Sequence, residues 1–222
     1  MYICPTYLTF VGMKRFFAFS FSLIFSASLL FGAQGPKYIF FFIGDGMGTN
    51  TAWLTNLYNQ SVGEPELTFL SFPVRGYLDS SAADSLWPDS SGAGSSLASG
   101  VKCINWFVGK DSDGNNTTTL TDLAKKKGMG AGVVTSDGLT LATPASFYAH
   151  AGRNDYYSIN NDLINSKIDF FAGSNICHHS RDTIDQDGWI TAAKAKGWTV
   201  FRGKDEYRPL KGERVIFLSD KD

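Results

Sequence analysis

Asp89 to Gly100 reads DSSGAGSSLASG, a run of Ser, Gly and Ala behind one acidic residue. Side chains this small let a helix lie close against a neighbouring backbone. A serine at the head of such a helix sits among amide N–H groups that lack intrahelical partners and attract anions. The stretch therefore suits a phosphate site, although the same composition also serves loops and linkers. Upstream, residues 37 to 48 read KYIFFFIGDGMG. The continuous apolar run Lys37 to Ile43 is expected to form a buried parallel strand. Asp45, held between Gly44 and Gly46 at the end of that strand, stands where open α/β sheets place their ligands, which makes it a metal candidate.

Downstream the pattern alternates. Thr49 to Tyr58 is expected to be a helix capped by Thr49 or Asn50, with a link at Gly63 to Pro65 and a second strand at Val74 to Leu78. Lys110 to Asn116, KDSDGNN, reads as an exposed turn; its Asp-x-Asp-Gly core resembles the opening of a calcium loop but lacks the Glu at the twelfth position. Asn116-Thr117-Thr118 is a glycosylation triplet that matters only in a eukaryotic secretory route. Thr119 to Lys127 is an amphipathic helix stopped by Gly128, Gly130 to Thr135 a strand, and Thr143-Pro144 the opening of another helix. Asn161 to Ile164 and Gly188 to Lys196 read as helical, and Ile168 to Phe171, Thr199 to Phe201 and Arg214 to Leu218 as strands. This alternation argues for an α/β fold with a mostly parallel central sheet and helices on both faces.

Composition agrees with one globular domain: 222 residues, 43% hydrophobic and 14% aromatic, are enough for a sizeable core. A net charge of −1 gives no basic footprint for nucleic acid and no polybasic surface for membranes. The amino end has its own layout, in which Met13-Lys14-Arg15 precedes the apolar run Phe16 to Phe31 and the small residues Gly32 and Ala33. A charged head, an apolar segment and a small-residue exit read as a secretory signal over residues 1–33, with the true start at Met13 and cleavage near Ala33. No membrane span is expected to remain once it is removed, and the product is expected to be periplasmic or extracellular. Export would remove Cys4 and leave Cys103 and Cys177 in an oxidising compartment where the two could pair. Neither has the surroundings of a nucleophile.

Three segments taken together, IGDGMG at 43 to 48, DSSGAGSSLASG at 89 to 100, and ATPASFYAH at 142 to 150 followed by Arg153, resemble alkaline phosphatase, the secreted metal-dependent phosphomonoesterase. The similarity in order and spacing runs from about Lys37 to Asp220. The resemblance implies hydrolysis of phosphate monoesters through a phosphoserine, with two zinc ions and one magnesium ion in a complete site and a possible homodimer. It implies that Asp45 is the carboxylate bridging a zinc and the magnesium, that Ser90 is the nucleophile and a metal ligand, and that Thr143 is the hydroxyl ligand of magnesium. Asp89 would orient Arg153, the arginine that binds phosphate, although the segment between His150 and Arg153 is one residue shorter than the bacterial pattern. Such roles make chemical sense. A divalent cation makes a hydroxyl a better nucleophile near neutral pH, and a guanidinium forks onto two phosphate oxygens while keeping its charge at alkaline pH.

Taken singly, each residue has a plainer reading: Asp45 or Thr143 as a helix cap, Arg153 as a surface cation, His150 as a packed helix histidine, His178-His179 as part of a loop. Two departures from the family pattern stand out. Leu141 occupies the position, two before Thr143, where relatives often carry Asp or His, and an aliphatic side chain neither binds an ion nor orients its waters. Most zinc ligands of the family would lie beyond Asp222, so residues 34–222 are expected to be the amino-terminal part of the domain. The alternatives are a non-catalytic remnant that binds phosphate or a partner, and, further off, a sulfatase or phosphodiesterase relative. A Ser-His-Asp hydrolase is excluded, because no G-x-S-x-G elbow surrounds Ser90.

Overall fold

The computed structural model describes residues 35–176, 186–206, 208 and 213–219. The expected signal segment, Cys177 and its pairing with Cys103, and His178-His179 lie outside the described residues. The chain divides into two compact units, Met1–Gly44 and Asp45–Asp222. In the first unit, residues 35–44 form no strand, and Tyr38, Ile39, Phe40, Phe41 and Phe42 are exposed. The expectation of a buried strand over Lys37 to Ile43 is therefore corrected. An apolar run supplies strand propensity, but a strand exists only where a neighbour completes its hydrogen-bond ladder.

The second unit opens with helix α1, Thr49–Val62, which ends at Gly63 with φ of 76°. Its N-cap is Gly48, with no side-chain cap, rather than Thr49 or Asn50 as expected. The Gly48 carbonyl accepts from the N–H groups of Thr51 and Ala52, so the helix starts one residue before a hydroxyl could serve as cap. A 3-10 turn follows at Thr68–Ser71. Val74 to Leu78 is not a strand either: Val74, Tyr77 and Leu78 are exposed, and no ladder reaches them.

From residue 88 onward the described residues build most of the core. Helix α2 is Ser90–Ser99, followed by the short strand β1 at Phe107–Val108 and helix α3 at Leu120–Lys126. Helix α3 has a full capping box: Thr119 Oγ1 accepts from the Asp122 N–H while the Asp122 carboxylate accepts from the Thr119 N–H. Strand β2 is Gly132–Val134, α4 is Ala142–Ala145, β3 is Ala151–Gly152 and α5 is Tyr156–Asn165. Strand β4, Phe170–Gly173, is followed by α6, Gln186–Ala195, then β5, Trp198–Arg202, the turn-length α7, Gly203–Glu206, and β6, Arg214–Leu218.

Among the described residues, four strands make one parallel sheet in the order β2-β4-β6-β5, and β1 pairs with β3 in a separate antiparallel ladder. Successive strand residues point to opposite faces. Val215 and Ile216 on β6 are both buried, as are Val200 and Phe201 on β5, so both faces of the sheet are covered. The core centres on Phe171, whose ring meets Tyr148 edge-on at 5.1 Å and Trp198 at 5.5 Å. Leu139, Ile159, Leu163 and Ile216 complete it. On its rim, Asp169 joins α3 to the sheet by accepting from Lys125 Nζ at 2.7 Å and from the Ala131 N–H at 2.8 Å.

The loops that leave the C-terminal ends of β2 and β4 are laced together. Leu139 N–H donates to the Asn175 carbonyl, and Ser174 N–H to the Asp137 carbonyl, each at 2.8 to 2.9 Å. This lacing holds residues 135–141 and so fixes α4, which carries Thr143, at the strand ends where open α/β sheets bind ligands.

Candidate metal and phosphate site

Helix α2 begins where it does because the Asp89 carboxylate accepts from the Gly92 N–H at 2.8 Å, with Asp89 itself extended. Ser90 is thus the first helical residue, at the end of the helix where partial positive charge favours anions. The small residues do what their size predicts. A Cβ on Gly94 would lie 2.8 Å from Ser146 Oγ, and one on Gly92 would lie 2.7 Å from Asn105 Oδ1. Only glycine at position 94 lets α2 approach α4 this closely. Behind it, Ser95 Oγ donates to Ser146 Oγ at 3.2 Å and accepts from the Gly109 N–H at 2.7 Å.

This packing brings three of the expected residues together. Ser90 Oγ donates to Asp45 Oδ1 at 3.2 Å, and Thr143 Oγ1 donates to Asp45 Oδ2 at 2.7 Å. Asp45 precedes the left-handed turn at Gly46, with φ of 69°, that leads into α1. The other two residues form a second cluster beside the first. Arg153 Nη1 donates to Asp89 Oδ2 at 2.8 Å, despite the shortened segment after His150. Asp89 also accepts from both Ser91 Oγ and the Trp106 N–H. Burial raises the Asp89 carboxyl, but the Gly92 N–H, the Arg153 guanidinium, Ser91 and the Trp106 N–H together outweigh it, so the group lies below the usual carboxylate range.

The donor set decides what could bind at Asp45. One carboxylate and two hydroxyls are hard oxygen donors, which fit magnesium or a similar hard cation. Zinc prefers imidazole and thiolate. Among the described residues no group of three or more His, Cys, Asp or Glu could hold a metal, so the described part supplies an oxygen corner and not a zinc cage. Leu141, the N-cap of α4, adds no donor to that corner. His150 is occupied elsewhere, its ring Nε2 against the Thr117 carbonyl at 2.9 Å and its N–H on Asp162. Cys103 is buried, and burial pushes its thiol above its ordinary range, which makes it a poor nucleophile.

Two residues that the sequence did not flag build the second cluster. Asn105 Oδ1 accepts from the Asp89 N–H at 2.8 Å, while its Nδ2 donates to the Trp87 carbonyl and its N–H to Asp84. Trp106 has φ of 65°, which costs a bulky residue about 1–3 kcal/mol. Its N–H meets Asp89, its carbonyl accepts from the Arg153 N–H at 2.8 Å, and its ring lies 5.7 Å from the Arg153 guanidinium. A glycine at 106 would have signalled the left-handed turn; a tryptophan gives no such mark in the sequence.

The parallel α/β domain thus brings together a helix-heading serine, an oxygen-donor corner and an ion-paired arginine. The family model for alkaline phosphatase matches residues 36–179. The chain belongs to the alkaline phosphatase family. It is 30% identical over 139 residues to the tissue-nonspecific alkaline phosphatase isozyme of Rattus norvegicus, covering 56% of this chain and 26% of that protein. It is 34% identical over 133 residues to alkaline phosphatase 4 of Drosophila melanogaster, covering 54% of this chain and 22% of that one. The alkaline phosphatase of the Antarctic bacterium TAB5 superposes with a TM-score of 0.64 at 25% identity, over 78% of this chain and 50% of the other. A mutant of that enzyme has Mg bound in its M3 site. The aligned chain thus spans about a quarter of those two curated relatives.

Proposed function

We propose that this chain carries the nucleophile and part of the phosphate site of an enzyme that hydrolyses phosphate monoesters. The observation that carries the reading is the convergence of Ser90 and Thr143 on Asp45, next to the Arg153–Asp89 pair. Asp45, Ser90 and Thr143 would hold a hard divalent cation such as magnesium, with zinc completed by ligands other than this corner. When bound, the cations would lower the pKa of the hydroxyl and neutralise charge on the phosphoryl group.

The chain's own residues then have separate tasks. Arg153 keeps one nitrogen on Asp89 and turns its remaining donors to phosphate oxygens, and the N-terminal end of α2 adds its dipole. Asp45 Oδ1 accepts the hydrogen of Ser90 Oγ and holds that oxygen in one orientation. The Ser90 oxygen gives up its proton to solvent and attacks phosphorus, the bond from phosphorus to the ester oxygen breaks, and the alcohol leaves with a proton from solvent. Water then attacks the phosphoserine, the Oγ–P bond breaks, and phosphate and the free hydroxyl return. The charged and apolar segments from Met13 to Ala33 support export of the product.

The test uses the full 222-residue chain, and any longer reading frame, loaded with zinc and magnesium. Phosphomonoester turnover at alkaline pH and phosphoryl transfer to Ser90 are expected where the metal ligands are complete, and Ser90→Ala is expected to abolish both. Phosphate binding that depends on Arg153, without turnover, would identify this chain as a non-catalytic binder. Unchanged turnover in Ser90→Ala would end the reading.

A further inference from the structure

Trp106 is the one non-glycine residue with positive φ among the described residues, and it stands against the arginine of the phosphate site. Its backbone is fixed from both sides. Asn105 is bonded to Asp84, Trp87 and Asp89, the Trp106 N–H and carbonyl are bonded to Asp89 and Arg153, and Phe107–Val108 is laddered to Ala151–Gly152. Glycine would take this conformation without strain. The indole gains little by burial, since Trp106 is 62% exposed, so core packing does not explain a strained tryptophan here. What the side chain does contact is the Arg153 guanidinium, at 5.7 Å from the ring centroid. An open aromatic face therefore borders the group that would hold phosphate, and that group is paired with Asp89, the residue directly before Ser90.

We propose that Trp106 is a specificity-determining residue that selects phosphate monoesters of aromatic alcohols, whose rings stack on the exposed indole. This rests on the phosphatase reading above. Aromatic contacts of this kind correspond to a preference of about 3- to 10-fold over an alkyl ester of the same charge.

The experiment is calorimetric titration of the magnesium-loaded full chain with phenyl phosphate, cyclohexyl phosphate, methyl phosphate and inorganic phosphate, for wild type, Trp106→Gly, Trp106→Phe and Arg153→Ala. Wild type is expected to bind phenyl phosphate about 3- to 10-fold more tightly than methyl phosphate, and above cyclohexyl phosphate. Trp106→Gly is expected to lose that ratio and to melt at or above the wild-type temperature, because the strained φ is relieved. Trp106→Phe should retain most of the ratio. A phenyl-to-methyl ratio near one in wild type, or one that survives in Trp106→Gly, overturns the assignment even where Arg153→Ala abolishes phosphate binding. Should wild type bind none of the four ligands, the phosphatase reading falls and the assignment falls with it. If Trp106→Gly does not fold, the wild-type ratio and Trp106→Phe decide the question.

Discussion

The stretch from Asp45 to Trp87 and the stretch from Pro88 to Ser219 are both rich in large apolar residues, yet they use them differently. In the first, Ala52 and Ala82 are the buried apolar residues, while Trp53, Leu54, Tyr58, Val74 and Tyr77 are exposed. In the second, Phe171, Leu139, Ile159 and Ile216 are fully enclosed around one sheet. Apolar content alone does not make a core; a laddered neighbour and a covering layer do. The site straddles this difference, because Asp45 is supplied by the open stretch whereas Ser90, Asp89, Thr143 and Arg153 stand on the enclosed one. The Asp89–Arg153 pair is thereby fixed by packing, and the Asp45 corner depends on two hydroxyl contacts to an exposed carboxylate.

The sharpest way to break the contrast is to cut the core. Phe171→Ala is expected to cost about 3–5 kcal/mol, read as a lower midpoint in denaturant unfolding, because its partners Tyr148 and Trp198 cannot collapse into the space. Asp89→Asn should cost less, about 1.5–3 kcal/mol, by removing the charge that several donors share. It should also loosen Arg153 and weaken phosphate binding in the same titration.

The acid limb of stability sharpens the same point. Asp89 and Asp169 both lie below their unfolded value of about 3.9, each because hydrogen bonds and cations outweigh the effect of burial. The stability they contribute is fully present above that value and is lost as pH falls through the lower folded values. Unfolding free energy should therefore be level with respect to these two groups near neutrality and fall below about pH 4, and Asp89→Asn should flatten part of that fall. At the small end, Trp53→Ser on the exposed face of α1 is expected to change stability by no more than about 0.5 kcal/mol; a larger loss by thermal melting would show that the open stretch is better packed than its exposure indicates.

Much of the enclosed stretch was legible in advance because its signals are local. The small-residue run behind Asp89 and the stop at Gly128 act within a few residues of themselves. Strand β6 was legible over its whole length, and β4 and β5 to within a residue or two at either end, since short apolar runs between helices have few other uses in an α/β chain. Lys37 to Ile43 and Val74 to Leu78 carry the same kind of run, but whether a run becomes a strand is decided by what lies next to it, which no local pattern records. Asp45, Ser90 and Thr143, and Asp89 with Arg153, were singled out through family motifs, and the structure brings each group into contact. Asn105 and Trp106 were not, since their contribution is made largely through backbone groups and a left-handed turn that the residue types do not announce.

Four different donors converge on Asp89: a helix amide, a serine hydroxyl, a loop amide and a guanidinium. With its lone pairs engaged, this carboxylate is chemically quiet, unable to pick up a proton from substrate or to admit an ion without giving up a bond it already has. Of the two acids beside Ser90, Asp45 is the more exposed. A carbodiimide should modify Asp45 well before Asp89, as read by mass spectrometry of the labelled peptides.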